Sequence, residues 1–228
     1  MRLPHKTLEL KLFDSGYRYI IGVDEVGMAS LAGPVVICAV LFIKKFFQKR
    51  HKKLYWLRDS KLLLPRQREN YFKELLKEKN LKYAVSFSYP KTIDKLNIYW
   101  AARFAMRCAI NKVIGYKLYV ISKNSKPKIY NLKHKTIILV DGKNEIKDLG
   151  MEQMPIVKGD RKVFSIACAS LIAKVFRDKM MIRYAKKFPG YGFEKHKGYP
   201  TKYHQLCLAR LGPSIIHRKS FVPVAKLL

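Results

Sequence analysis

The chain has 228 residues, of which 49% are hydrophobic, so it has room for one domain with a sizeable core and does not have the composition of a disordered chain. Lysine and arginine total 47 against 16 acidic residues, and the resulting net charge of +31 indicates a polyanionic partner such as nucleic acid. A generally lysine-rich proteome is the alternative origin of that charge.

Four cysteines, Cys38, Cys108, Cys168 and Cys207, form no CxxC pair and lie among apolar residues, which predicts reduced core cysteines in a cytoplasmic protein. No apolar run is long enough to cross a bilayer, so we expect no membrane partner.

Hydrophobic periodicity predicts the following elements in chain order. Strands are predicted at 19–23 and 35–42, an exposed basic loop or hairpin tip at 44–53, a helix at 65–79, a strand at 81–89 and a helix at 98–113. A short strand at 119–122, a polar loop at 123–135, strands at 136–140 and 154–157, and one long helix at 163–187 follow. An aromatic loop at 188–201, a helix at 202–211 and an extended tail end the chain. This alternation predicts an α/β fold, with a domain at 1–187 and a small, mostly helical C-terminal appendage at 188–228.

Acidic residues follow three of the predicted strands. Asp24 and Glu25 follow the first strand, Asp141 follows the strand at 136–140, and Asp160 comes shortly after the strand at 154–157. Carboxylates beside buried strands are costly to desolvate unless a cation compensates them. Oxygen ligands suit Mg²⁺ and Mn²⁺, so the pattern predicts a metal cluster for phosphodiester hydrolysis.

Spacing alone leaves more ordinary roles open for these acids. Aspartates are common in turns and helix caps, so Asp160 could cap the long helix and Asp141 could belong to a turn. Adjacent strand side chains also face opposite ways, so Asp24 and Glu25 serve one site only if the strand ends there, and Gly27 makes such a turn plausible.

Short motifs surround these acids and continue to the C-terminus. They stand at 21–27, 31–36, 59–62, 140–142, 158–160, 165–178, 191–199 and 211–221. In their identity and order they resemble the type 2 ribonuclease H (ribonuclease HII) family across residues 18–223. The likeness is specific because it lies in the whole series of motifs rather than in any one of them.

The resemblance implies a ribonuclease H-like fold, with a mixed central sheet flanked by helices. It implies that Asp24, Glu25, Asp141 and Asp160 are the catalytic residues and the ligands of two divalent ions, Mg²⁺ or Mn²⁺. It implies cleavage on the 5′ side of a ribonucleotide, leaving 3′-hydroxyl and 5′-phosphate ends. The substrates would be RNA–DNA hybrids and ribonucleotide-containing duplex DNA, and we expect a monomer.

The substrate-binding turn departs from the family pattern. Gly27, Met28 and Ala29 stand where the family reads Gly-Arg-Gly, a turn whose backbone reads the ribose 2′-hydroxyl in the family. Ala29 is less free than glycine to adopt φ > 0, and Met28 lacks the arginine charge, so weaker discrimination for a lone ribonucleotide is expected. A degenerate homologue that binds hybrids without cutting them, and a generic basic RNA-binding protein, are the rival hypotheses.

Four more residues are expected to contact the substrate. Tyr199 resembles the family tyrosine at the RNA–DNA junction, with loop packing as its alternative. Lys61, Lys174 and Lys197 are expected to contact phosphates, although any of them could be a plain surface lysine.

Ser170 is interpreted equally as helix packing or as a substrate contact. His196 and His217 lie in family motifs without zinc-like spacing and are interpreted as structural.

Overall fold

The structure is a computed structural model that describes residues 3–121 and 135–228, with side chains described to residue 115 in the first range. Its strands are Tyr19–Val26 (β1), Val35–Phe42 (β2), Leu81–Ser88 (β3), Thr136–Asp141 (β4) and Glu152–Ile156 (β5). Helices in these ranges are Thr7–Asp14 (α1), Lys44–Phe47 (α2), Pro65–Leu76 (α3), Pro90–Leu96 (α4), Ile98–Ile121 (α5), Gly159–Lys162 (α6), Phe164–Lys187 (α7), Phe193–His196 (α8), Lys202–Leu211 (α9) and Val222–Ala225 (α10). Two 3₁₀ turns cover Lys52–Leu54 and Ser60–Leu62.

The five strands form one mixed sheet in the order β3-β2-β1-β4-β5. β2 is antiparallel to both β1 and β3, while β4 is parallel to both β1 and β5. Helices cover both faces of the sheet, which confirms the predicted α/β fold with a mixed sheet flanked by helices.

Alternation along the strands divides the apolar side chains between two cores. In β1 and β4, Ile20 and Leu139 belong to the core beneath α7, whereas Ile21 and Val140 belong to the core beneath α5. Gly22 allows α7 to approach β1 closely, because a Cβ there would collide with the Ser165 carbonyl group. The sheet is therefore covered on both sides, and polar groups between the layers need specific partners.

The prediction of an exposed loop at 44–53 is wrong for residues 44–47, whereas most of residues 48–53 are exposed. Residues 44–47 form α2, and Phe46 and Phe47 are 0% and 7% exposed. Their rings contact those of Phe42 and Phe164, so they belong to the core beneath α7. The surrounding lysines concealed an apolar pair that packs inward, so these phenylalanines do not widen a binding surface.

Several predicted boundaries also change. Helix α5 continues to Ile121, so the short strand predicted at 119–122 is wrong for its first three residues. Residue 122 and positions 123–134 of the predicted polar loop lie outside the described residues. Helices α1 and α4 were not predicted, and the aromatic loop and the C-terminal tail contain the one-turn helices α8 and α10. Among the described residues, no helix combines the length and apolarity needed to cross a bilayer.

Candidate active site

Adjacent acids would share one site most simply if the strand ended at them. Strand β1, however, continues past Asp24 and Glu25. It runs to Val26, and both acids pair in register with β2. Asp24 therefore faces the α7 side of the sheet and Glu25 faces the α5 side. Pairing with β4 stops earlier, at Val23 opposite Val140, so β1 has no β4 partner beyond that point. Both faces of β1 thus open to one gap at the end of β4.

Asp141 and Asp160 lie at this gap. Asp141 is the last residue of β4, and its Oδ1 accepts a hydrogen bond from the Gly159 backbone N–H at 2.7 Å. Asp160 follows Gly159 in the first turn of α6 and is 5% exposed. The N-cap of the long helix α7 is Val163, so Asp160 is not its cap. The carboxylates of β4 and α6 are therefore held beside the end of β1.

Burial and mutual repulsion raise the pKa of Asp24, Glu25 and Asp160. Burial, followed by the charges of Glu25 and Asp141, raises the pKa of Asp24 well above its usual range. Burial and the charge of Asp141 raise the pKa of Glu25 to about 7, against the opposing effect of Arg103. Burial and the charge of Asp141 also raise the pKa of Asp160. These shared effects show a coupled anionic cluster of the kind found at functional sites.

The donor chemistry of the cluster fits a hard divalent cation. Its four side chains offer only carboxylate oxygens, and Glu25 Oε2 is buried with no hydrogen-bond partner. Within residues 3–121 and 135–228, however, no three His, Cys, Asp or Glu side chains are arranged to hold one ion. The four acids therefore share a location without forming a ready ligand set.

Lys61 is the predicted phosphate-binding lysine that lies beside the cluster. Its Nζ is 3.9 Å from Asp160 Oδ2, and its side chain is 66% exposed. Burial alone would lower the pKa of Lys61, but the charges of Asp160 and the neighbouring acids outweigh it, and the pKa is raised. Buried Asp59 fixes the segment by accepting hydrogen bonds from the Lys61 N–H at 2.9 Å and from Arg161 Nε at 3.0 Å.

Ser170 connects this segment to the carboxylates. Its Oγ lies 3.1 Å from Ser60 Oγ, and its side chain also hydrogen-bonds Asp24. Ser170 is 1% exposed, so it positions Asp24 from within the protein rather than facing solvent.

The turn at Gly27, Met28 and Ala29 is held from the C-terminal region. Arg218 donates to the carbonyls of Gly27 at 2.7 Å, Met28 at 2.8 Å and Gly33 at 3.0 Å. Met28 packs its side chain against the core beneath α5. Ala29 is exposed and is not one of the described residues with positive φ, so alanine is not strained there. Gly27 has φ of 99° and is needed, because a Cβ would collide with a buried guanidinium.

That guanidinium belongs to Arg177, which links the turn to Tyr199. Arg177 donates to the carbonyls of Ala32, Pro34 and Lys197 at 3.2, 3.1 and 2.9 Å. Its Cζ lies 5.2 Å from the centroid of the half-buried Tyr199 ring. Tyr199 and the 27–34 loop are thereby fixed to the same side chain.

The remaining two predicted lysines have partners within the protein. Lys174 Nζ is 2.7 Å from Asp178 Oδ1 and 5.8 Å from the Tyr199 ring centroid. Lys197 Nζ donates to the Glu194 carbonyl. Burial lowers the pKa of both lysines. Lys174 borders the Tyr199 ring, whereas Lys61 borders the carboxylates.

Sequence reasoning assigned no role to Arg177, Arg218 or His204. Both arginines are 0% exposed, and their places inside the motifs at 165–178 and 211–221 are the signal that could have identified them. His204 Nε2 lies 3.1 Å from His217 Nε2, and its ring stacks on His196 with centroids 4.2 Å apart. Burial lowers the pKa of His204 and of His217 to about 4, so this cluster is neutral and structural.

Comparison with known proteins agrees with this architecture. The family model for ribonuclease HII matches residues 21–224. Ribonuclease HII of Caldicellulosiruptor bescii is 44% identical over 94% of this chain and 92% of its own length. Ribonuclease HII of Acholeplasma laidlawii is 42% identical over 100% of this chain and 99% of its own length.

Solved structures show the same fold. Ribonuclease H2 from Pyrococcus horikoshii superposes with a TM-score of 0.67 at 25% identity, covering 92% of this chain and 96% of that one. Bst-RNase HIII, determined in complex with Mn²⁺, has a TM-score of 0.67 at 15% identity and covers 98% of this chain and 73% of that one. With a match across nearly its whole length and an acidic cluster at the end of β1 and β4, the chain belongs to the ribonuclease HII family.

Proposed function

We propose that this ribonuclease H cuts the RNA strand of RNA–DNA hybrids and cuts 5′ of ribonucleotides embedded in duplex DNA, leaving 3′-hydroxyl and 5′-phosphate ends. The observation that carries the proposal is the coupled cluster of Asp24, Glu25, Asp141 and Asp160 in a chain of net charge +31. Such a cluster is unfavourable in the absence of a cation and suits hydrolysis of a phosphodiester.

Those four carboxylates would hold two divalent ions, Mg²⁺ or Mn²⁺. Ions bound there would activate a water and stabilise the leaving oxygen of the phosphodiester. Glu25 Oε2, which is buried without a partner, supports this assignment because a metal would satisfy it. Ser170 orients Asp24, and the Gly159 N–H orients Asp141, so two of the ligands already have fixed directions.

Substrate contacts are proposed at two places around the cluster. Lys61 would bind a backbone phosphate near Asp160. Tyr199 and the backbone of the 27–29 turn would meet the ribose, with Lys174 beside the tyrosine ring and Lys197 two residues before it in the chain as further phosphate contacts. Because Arg177 and Arg218 hold the carbonyls of this turn and its loop, the backbone position does not depend on the side chains of Met28 and Ala29.

The test uses a DNA duplex with one ribonucleotide and a separate RNA–DNA hybrid, each with Mg²⁺, Mn²⁺ or EDTA. We expect metal-dependent cleavage of both, and loss of cleavage in Asp24→Asn by more than about 10³-fold, since removing a member of a catalytic unit costs most of its effect. Asp148→Asn is the matched control, because Asp148 is 81% exposed and lies on the protein surface.

Cleavage in EDTA, or an Asp24→Asn variant as active as the control, would overturn the proposal. Tight hybrid binding without cleavage by the unaltered protein would instead support a degenerate, binding-only homologue.

A further inference from the structure

An exposed pair of aromatic side chains lies on a surface that the proposed reaction does not use. Tyr55 and Trp56 are 67% and 65% exposed, and their rings are nearly perpendicular at 87° with centroids 5.0 Å apart. Large aromatic groups that remain this exposed mark a contact surface more often than a chance feature, because burying them is strongly favourable.

The pair borders a cavity surrounded by cations. This cavity, of about 590 Å³, is lined by Tyr55 and Trp56 and extends to Pro4. Pro4 also lines a second cavity of about 260 Å³. The lysines and arginines that line the two cavities, here called the basic groove, are Lys6, Lys49, Arg50, Lys52, Arg58, Lys158, Arg161 and Lys162.

The positive charge of the basic groove is not neutralised by the protein. Among the described residues, its one ion pair joins Arg161 to Asp59, and the remaining cations of the groove have no acidic partner. A groove of this kind is electrostatically complementary to a chain of phosphates.

The basic groove continues directly into the acidic cluster. Arg161 follows Asp160 in α6, and Lys61, beside Asp160, is five residues from Trp56. Five residues span at most about 18 Å. At roughly 3.4 Å per nucleotide of a paired strand, that upper limit corresponds to about five nucleotides. A strand that leaves the cleavage site on this side therefore reaches Trp56 within about five nucleotides.

We propose that the Tyr55–Trp56 pair and the basic groove bind an unpaired, single-stranded flank of the nucleic-acid substrate; this rests on the proposed function. Bases in a duplex have both faces covered, whereas an unpaired base offers a face on which an exposed ring can stack. The cations of the groove would follow the phosphates of the same strand. The favoured substrates would be ribonucleotide-containing duplexes whose end or flap is single-stranded close to the ribonucleotide.

A cleavage assay tests the subsite with matched duplexes that carry or lack a ten-nucleotide thymidine tail. The tail starts five nucleotides from the ribonucleotide and is placed on either side of it and on either strand. For one tail position, we expect the tail to raise kcat/KM by roughly 5- to 100-fold through a lower KM, the range that base stacking on aromatic side chains supplies. In the double variant Tyr55→Ala, Trp56→Ala, the tailed-to-untailed ratio of kcat/KM should fall to about one.

Trp100→Ala is the matched control. Trp100 is 44% exposed and also lies perpendicular to a tyrosine, with a centroid distance of 5.1 Å to Tyr99, but it does not line the basic groove. This variant should keep the tailed-to-untailed ratio. No tail effect in the unaltered protein at any position, or equal loss of the ratio in the control, would overturn the subsite.

A binding experiment separates the subsite from the proposed function. The chain has two tryptophans, so Trp100→Phe leaves Trp56 as the only one. In EDTA, oligothymidylate should quench its fluorescence, the binding should weaken with salt, and blunt duplex DNA of equal length should quench far less. No quenching, or equal quenching by duplex DNA or by phosphatidylserine vesicles, would overturn the subsite. Quenching by a protein that cuts none of the substrates would retain the subsite and overturn the proposed function.

Discussion

The metal-free protein is predicted to become more stable when Glu25 is neutralised. Burial and the charge of Asp141 raise the pKa of Glu25 from 4.5 to about 7. An acid whose pKa is raised by folding contributes its full stability below pH 4.5, and this contribution is lost as the pH rises through about 7. Glu25→Gln is uncharged throughout this range and so does not incur the loss.

The size of the effect follows from the shift in pKa. A difference of about 2.5 units at roughly 1.36 kcal/mol per unit makes the loss about 3 kcal/mol at pH 8. For a chain of this length that corresponds to a Tm about 6–12 °C higher for Glu25→Gln than for the unaltered protein in EDTA. At pH 4.5 the two proteins should melt at the same temperature, because Glu25 is then protonated in the folded state.

Thermal unfolding in EDTA at pH 4.5 and pH 8 measures both quantities. Glu145→Gln is the control, since Glu145 is exposed and its change should alter stability by less than about 0.5 kcal/mol. Added Mg²⁺ should raise the Tm of the unaltered protein more than that of Glu25→Gln, because the variant lacks a ligand. A variant that is no more stable than the control at pH 8, or equally stabilised at both pH values, would refute the reasoning.

Three further predictions concern the packing around the site. Gly22→Ala should lower stability by about 3 kcal/mol or more in urea titrations, because its Cβ collides with the α7 backbone; Gly115→Ala in open helix should be neutral or stabilising. Between pH 6.5 and 4, His204 and His217 should make stability fall on acidification, against the gain from Glu25, since their depressed pKa values make them bind fewer protons in the native than in the unfolded state; in pH-dependent unfolding, His217→Gln should lose less stability on acidification than the unaltered protein. Arg218→Met should lower kcat/KM on a single embedded ribonucleotide by about 10²-fold through displacement of the 27–28 turn, and an unchanged value would contradict that role.

The parts of the fold with strong local periodicity could be predicted from the sequence. The apolar run at 35–42 forms β2, and the helical pattern at 163–187 forms α7 with a boundary shift of one residue. Hydrophobic spacing of this kind reflects the two sides of a sheet or one face of a helix, so it can be recognised without knowledge of the tertiary structure. Phe46 and Phe47 were assigned wrongly because their lysine neighbours dominate the local composition.

The residues of the candidate site could be predicted from the sequence, but their arrangement in space could not. Motifs identified Asp24, Glu25, Asp141 and Asp160, yet the continuation of β1 to Val26, which turns Glu25 to the opposite face, depends on pairing with β2. Several expectations stay predictions. They are the metal-ligand roles of these four acids, the substrate-binding roles of the other site residues, the division of the chain after residue 187, the monomeric state and the cytoplasmic location.

The roles of the buried arginines were beyond local sequence reasoning. Arg177 and Arg218 both bind backbone carbonyls of the 27–34 loop, more than 140 residues away along the chain. A carbonyl has no sequence signature, so only the folded chain shows which ones need a donor.

The Arg218–Gly27 hydrogen bond also bears on how the enzyme is made. Its two partners are separated by 191 residues, so the turn beside the carboxylates stays unanchored until Arg218 has been synthesised. Contacts this distant in sequence form late, since closing the intervening chain costs entropy before they provide any stability. A chain that stops short of Arg218 would thus carry the acids of the cluster without the side chain that holds the turn beside them.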